Sequence, residues 1–259
     1  MSIRKAVIKY GGHAMDDASL RHTFIRDVAE LAGQGLELVL VHGGGPHINA
    51  LLARLDIESV FVDGLRVTDE AAMQAVEMAL CGQVNKDVVA ELERLGIGCA
   101  GISGRDGGLL RAKIVRPELG LVGEVCSVDT RLLDCLLAGG YLPVVAPVAA
   151  GPGWEPLNIN ADLAAGAIAA AMGADCFILV SDVPGVLDAA GAVLAQLSGD
   201  EVAALRKAGV ISGGMIPKLD ACLQAVAGGA GSALILDGRK PGSLGLALAG
   251  KAPGTLVRS

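Results

Sequence analysis

VLVHGGGPH, residues 39–47, ends one structural pattern and begins another. A run of strand formers, Leu36, Leu38, Val39, Leu40 and Val41, stops at His42. Gly43, Gly44 and Gly45 follow, and a helical pattern starts at Pro46 and runs to Leu55. Residues without Cβ atoms let backbone N–H groups converge on one point. A strand, a glycine turn and a helix N-terminus in this order form an anion site from amide donors and the helix dipole. A plain strand-to-helix turn needs one glycine, so three in succession favour the anion reading.

The same alternation extends along the chain. Strands are predicted at 3–10, 36–42, 98–103, 109–115, 121–126, 142–148, 176–181, 233–237 and 255–257. Helices are predicted at 19–32, 46–54, 69–95, 130–138, 161–172, 200–208, 215–227 and 243–249. Nearly continuous apolar strands alternating with helices imply an α/β protein with a mainly parallel sheet covered on both faces. The segment 109–126 departs from this pattern and reads as a hairpin attached to the main sheet, turning at Pro117–Glu118–Leu119–Gly120. That hairpin and the long 69–95 helical stretch fit a TIM barrel poorly. A soft boundary near Gly173 divides the chain into two lobes.

Of 259 residues, 52% are hydrophobic but 2% aromatic, so the core is aliphatic. A net charge of −7 without a basic cluster argues against nucleic acid as a partner. Cys81, Cys99, Cys126, Cys135, Cys176 and Cys222 form no C-x-x-C pair and read as reduced core thiols of a cytoplasmic protein. The uncharged stretch 135–154 is broken by Gly139, Gly140, Pro143, Pro147, Pro152 and Gly153, which excludes a membrane helix there. Arg4 and Lys5 sit directly inside the first strand pattern, so no signal peptide is expected.

The polar residues of interest cluster at strand ends, where open α/β sheets place their ligands. Lys9 lies near the end of the first strand, shortly before Gly11 and Gly12. Gly64-Leu65-Arg66-Val67-Thr68 precedes a helix, and an arginine there can grip a carboxylate with two parallel bonds. Asn158-Ile159-Asn160-Ala161-Asp162 crowds a helix start with more polar groups than capping requires. Ser181-Asp182-Val183-Pro184-Gly185-Val186-Leu187 forms a further strand-end turn. Ile211-Ser212-Gly213-Gly214-Met215-Ile216-Pro217-Lys218 puts a lysine in the first turn of a helix, against the dipole, so that lysine answers to a nearby anion. Gly96-x-Gly98-x-x-Gly101 mimics a dinucleotide fingerprint but follows a helix and enters a strand, the reverse of the required context.

The ordered set of motifs resembles the amino-acid kinase family over essentially the whole chain: K-Y-G-G (9–12), V-H-G-G-G-P (41–46), G-L-R-V-T (64–68), N-I-N-A-D (158–162), S-D-V-P-G-V (181–186) and I-S-G-G-M-I-P-K (211–218). The resemblance implies a three-layer αβα sandwich around a mainly parallel sheet. It implies transfer of the γ-phosphoryl of ATP, carried with Mg²⁺, to the side-chain carboxylate of N-acetyl-L-glutamate; the alternatives are another kinase of the family, for an aminoadipate-type acceptor or glutamate, and a non-catalytic nucleotide or amino-acid sensor. It makes Lys9, Lys218 and Asp162 catalytic, the lysines neutralising the migrating phosphoryl group and Asp162 orienting both. It assigns Gly44, Gly45, Arg66 and Asn158 to the amino-acid substrate. It assigns Gly12, Asp182, Val183, Pro184, Gly185, Val186, Leu187, Val210, Ile211 and Ser212 to the nucleotide, and no residue to a protein-held metal. Residues 1–173 would form the substrate-binding and dimerising lobe and residues 174–259 the nucleotide lobe. A homodimer without nucleic-acid or membrane partners is expected. Arginine-inhibited relatives carry an extra helix before the first strand; with that strand starting by Ile3, little inhibition by arginine is expected.

Overall fold

The protein is described here by a computed structural model covering residues 3–11, 15, 17–251 and 254–258. β1 (Lys5–Tyr10) turns Val7 to one side and Ala6, Ile8 and Tyr10 to the other, the two-residue period of a pleated strand. Around it runs an eight-stranded sheet. Its order is β12 (Gln196–Leu197), β14 (Gly254–Val257), β13 (Ala233–Asp237), β11 (Cys176–Ser181), β1, β2 (Glu37–His42), β8 (Leu142–Ala146) and β5 (Cys99–Ser103). Neighbours are parallel except β13 and β14. Because β1 pairs with β11, the sheet runs unbroken across the 173/174 division.

Both faces are covered, as apolar strands on either side require. One layer holds α1 (Ala18–Gly33), α4 (Asn85–Arg94) and α9 (Ser243–Leu248), which pack with Ile8, Leu40, Ile178 and Leu234. The other holds α5 (Arg131–Ala138), α6 (Ala161–Ala171), α7 (Gly199–Lys207) and α8 (Met215–Ala227), which pack with Val7, Val41, Leu179 and Ile235. A smaller cluster joins α2 (Gly45–Arg54) to α3 (Glu70–Glu77) through Ile48, Leu52, Met73 and Val76. The aliphatic core is relieved at Tyr10, whose ring stacks on Phe24 of α1 with centroids 4.1 Å apart. Among the described residues no helix is long and apolar enough to cross a membrane.

Four sequence expectations need correction. The hairpin β6 (Leu110–Ile114) and β7 (Val122–Val128) does not join the main sheet. With β9 (Val148–Ala150) and β10 (Pro156–Ile159) it closes a separate four-stranded barrel. The predicted strand 142–148 is really β8 and β9, divided at Pro147, which has no N–H with which to continue a ladder. The helical stretch 69–95 is interrupted by a π-helical segment, Met78–Val84, between α3 and α4. A short hairpin of β3 (Phe61–Val62) and β4 (Leu65–Arg66) was hidden by its length. All six cysteines are free, yet Cys126 and Cys135 are exposed rather than core thiols.

Close approach of α6 and α8 depends on Gly166. A Cβ there would lie 2.8 Å from the carbonyl oxygen of Ala221. Backbone cannot yield as a side chain can, so Gly166→Ala is expected to force the helices apart. Urea denaturation should show a loss of about 1–3 kcal/mol, the usual cost of overpacking.

Candidate active site

Lys9 lies on the same face of β1 as Val7, in register with Val41 of β2 and Leu179 of β11. Helix α6 covers that face through Ala164, Ala165 and Ile168. Its N-cap is Asn160, whose Oδ1 accepts from the amides of Asp162 (2.8 Å) and Leu163 (3.2 Å). Capping is therefore done by Asn160, and the Asp162 carboxylate is left for other work. One oxygen meets Lys9 Nζ at 2.9 Å and the other accepts from Lys218 Nζ at 3.0 Å. Asp162 and Lys9 are 6% and 7% exposed, so this is a buried cluster. Burial alone would raise the Asp162 carboxyl, but the two ammonium groups overcome it and hold its pKa below the usual carboxylate range. Two ammonium groups facing one carboxylate leave one positive charge in excess, which a bound anion would balance.

The triglycine turn lies at the end of the next strand. The Gly43 amide donates to Tyr10 O at 2.7 Å, which ties the turn to β1. Gly44 has φ +158°, and a Cβ on it would come 2.5 Å from Leu80 Cδ2 of the π-helical segment. Gly45 faces open space and starts α2, which no side chain caps. Its first-turn amides are therefore available to an anion, as helix N-termini generally are. His42 is fully buried; its Nδ1 is 2.8 Å from Gly43 O and its Nε2 is 3.2 Å from Asn85 Nδ2. Burial outweighs the bond to Gly43 and pushes the imidazole down to about 4.

Arg66 and Asn158 come together through a residue singled out only as part of a motif. Thr68 Oγ1 donates to Arg66 O at 2.8 Å and accepts from Asn158 Nδ2 at 3.2 Å. Arg66 itself is 7% exposed and lies 4.6 Å over the Phe61 ring. It donates to Asn49 Oδ1 at 2.7 Å and also to Ser59 Oγ. The hairpin β3–β4 thus presents a guanidinium beside α2, and β10 carries Asn158 four residues before Asp162.

At the other side of β1, the segment Asp182–Leu187 leaves the end of β11. Val186 N donates to Thr255 Oγ1 at 2.8 Å, and Gly185, at φ +148°, passes so close that a Cβ would be 2.6 Å from the same hydroxyl. Val210, Ile211 and Ser212 connect α7 to α8. Val186 and Ile211 point their side chains into the core, so these two can offer a ligand only backbone. Asp182, Val183 and Pro184 are half-buried and Leu187 is exposed. Gly12 lies outside the described residues. Sequence reasoning passed over Asp237 at the end of β13, beside Ser181, where it accepts from Arg239 Nε at 2.8 Å and Nη2 at 2.9 Å. An acid directly after Leu-Ile-Leu at a strand end was the available signal. It also passed over Asn85, whose position inside a helical stretch gave none.

Known proteins resemble this chain over nearly its whole length. The model of the Amino acid kinase family matches residues 4–237. An acetylglutamate kinase of Gluconacetobacter diazotrophicus is 49% identical, over 97% of this chain and 85% of that protein. One of Acidiphilium cryptum is 52% identical, over 91% of this chain and 83% of that protein. The crystal structure of smu.665 from Streptococcus mutans superposes with a TM-score of 0.83 at 32% identity, covering 98% of each chain. The carbamate kinase of Giardia lamblia bound to AMP-PNP shares the fold, with a TM-score of 0.73 at 17% identity and all of both chains covered.

His42 supplies a stability test. With its pKa pushed down to about 4 in the fold from an ordinary value of 6.5, the unfolded chain binds the extra proton first as pH falls. Its contribution is therefore complete above pH 6.5 and is lost toward pH 4, amounting to about 3 kcal/mol. Chemical denaturation at several pH values should show this slope in the unaltered protein and its absence in His42→Asn.

Proposed function

Since the chain belongs to the amino acid kinase family, we propose that it performs the reaction of its acetylglutamate kinase relatives. It transfers the γ-phosphoryl group of ATP to the side-chain carboxylate of N-acetyl-L-glutamate. The products are N-acetyl-L-glutamyl 5-phosphate and ADP, and the reaction is the second step of arginine biosynthesis. The observation that carries this reading is the single buried carboxylate of Asp162 held between Lys9 and Lys218.

The chemistry suits those residues. A glutamate side chain has a pKa of about 4.3 and is already ionised at neutral pH, so no general base is needed. A carboxylate oxygen forms the new O–P bond. The bond from γ-phosphorus to the bridging oxygen breaks, and its electron pair leaves with ADP. The obstacle is repulsion between two anions and charge on the equatorial oxygens, so positioning and electrostatics supply most of the catalysis. Lys9 and Lys218 face that charge from opposite sides of Asp162, which fixes both amines in place. The amides of Gly44 and Gly45 approach it from the triglycine turn. Arg66 and Asn158, coupled through Thr68, hold the amino-acid end of the acceptor.

Residues 174–259 take the nucleotide, with Asp182 to Leu187 and Val210 to Ser212 lining its pocket, while residues 1–173 take acetylglutamate and form the homodimer contact. Mg²⁺ fits as a companion of ATP. Both Asp162 oxygens are engaged by lysines, and among the described residues no group of three or more His, Cys, Asp or Glu is placed to hold a metal. Such an ion keeps its own waters and would lower the charge of the triphosphate. Six free cysteines suit a reducing compartment, and we place the reaction in the cytoplasm.

A coupled ADP-release assay decides the acceptor: N-acetyl-L-glutamate should be preferred over glutamate and N-acetylaspartate, and a preference for glutamate defeats the assignment. Lys218→Ala should lower kcat by on the order of 10²–10³ with modest change in KM; near-normal kcat removes Lys218 from the mechanism. Asp162→Asn separates capping from catalysis. Because Asn160 does the capping, the variant should be folded by circular dichroism but slow, and full activity would leave Asp162 without a catalytic part.

A further inference from the structure

The triglycine turn is held from behind by a buried network that the mechanism above leaves unused. Asn85, the first residue of α4, is 1% exposed. Its Nδ2 carries two protons: one is donated to Val144 O of β8 at 2.9 Å, and the other is shared between His42 Nε2 at 3.2 Å and Ile102 O of β5 at 3.3 Å. Its Oδ1 accepts from Lys86 Nζ at 3.0 Å. Carbonyl oxygens only accept and an ammonium only donates, so the amide has one orientation, nitrogen toward the strands and oxygen toward Lys86. A donor aimed at His42 Nε2 needs an acceptor there. The ring proton therefore sits on Nδ1, from which it is donated to Gly43 O at 2.8 Å. The Gly43–Gly44 peptide is trans, so its C=O and the following N–H point in opposite directions. Drawing the Gly43 carbonyl toward the ring consequently aims the Gly44 amide away from it.

We propose that Asn85 is a positioning residue for phosphoryl transfer: it fixes the tautomer of His42, which in turn aims the Gly44 amide at the phosphoryl oxygens. This rests on the kinase reading above. The surroundings are shaped for it. A Cβ on Gly101 would come 2.1 Å from Asn85 Oδ1 and 2.8 Å from Lys86 Nζ, so β5 has a glycine where the amide sits. That explains the last glycine of the misleading G-x-G-x-x-G pattern. Leu80 and Val84, just before Asn85, close on Gly44 from the same helical stretch.

The test joins a ring measurement to kinetics. Nitrogen-15 NMR of the unaltered enzyme without substrate should show His42 protonated at Nδ1 only. In Asn85→Ala that signature should change to a mixture of tautomers. Its kcat per folded molecule should fall by about 10- to 100-fold, the scale of a donor misplaced by an ångström, with KM for both substrates within about threefold. Should Asn85→Ala not fold, two His42 variants decide. His42→Leu has no donor and should lose a similar factor, whereas His42→Asn keeps an N–H near the Nδ1 position and should recover most of it. Overturning results are a ring protonated at Nε2, an Asn85→Ala enzyme with unaltered kcat per folded molecule, or equal impairment in His42→Asn and His42→Leu. An unaltered enzyme that releases no ADP with N-acetyl-L-glutamate overturns the kinase reading and this proposal together; an active enzyme with Nε2 protonated overturns this proposal alone.

Discussion

One carboxylate organises the centre of this molecule. Asp162 is anchored at the start of α6, and each of its oxygens takes an ammonium from a different part of the chain, Lys9 from β1 and Lys218 from α8. Removing charges from water is costly unless they are paired, and here the pairing is deliberately incomplete: two positive groups share one negative one. The arrangement is stable enough to fold and still short of one negative charge. In the function proposed above, a phosphoryl oxygen supplies that missing charge.

The rest of the structure serves to bring these groups to one edge. Parallel pairing of β1 with β2 and β11 places Lys9 between the triglycine turn and the Asp182 segment. Gly166 lets α6 and α8 touch, so that Asp162 and Lys218 face each other across the helix starts. Glycine thus does two different jobs. At Gly44 and Gly185 it permits a positive φ and a close neighbour; at Gly166 and Gly101 it vacates the volume that another element fills.

Much of this was readable in the residues, for definite reasons. The main strands are continuous apolar runs, so alternation alone gave the sheet and put Lys9 near a strand end, while Asp162 and Lys218 stood out as charged groups at helix starts that capping and the dipole do not require. The small barrel was misread because pairing partners of β6 and β7 lie in β9 and β10, and a local pattern carries no information about a distant partner. Two-residue strands such as β3 show no period at all. Asn85 was invisible for a different reason. Its importance depends on two carbonyls and a ring that only the folded chain assembles, and a polar residue within a helix is usually solvated.

The π-helical segment has a consequence beyond packing. Closing hydrogen bonds five residues apart accommodates an extra residue per turn, and this surplus comes just before Asn85. Each residue of an ordinary helix advances the rotation by about 100°. Losing one here would swing the amide out of its slot on β5 and carry Leu80 and Val84 past the glycine they now touch. Between α3 and α4, then, the count of residues matters as well as their identity, and an insertion or deletion that a surface loop would absorb would here detune the centre from behind.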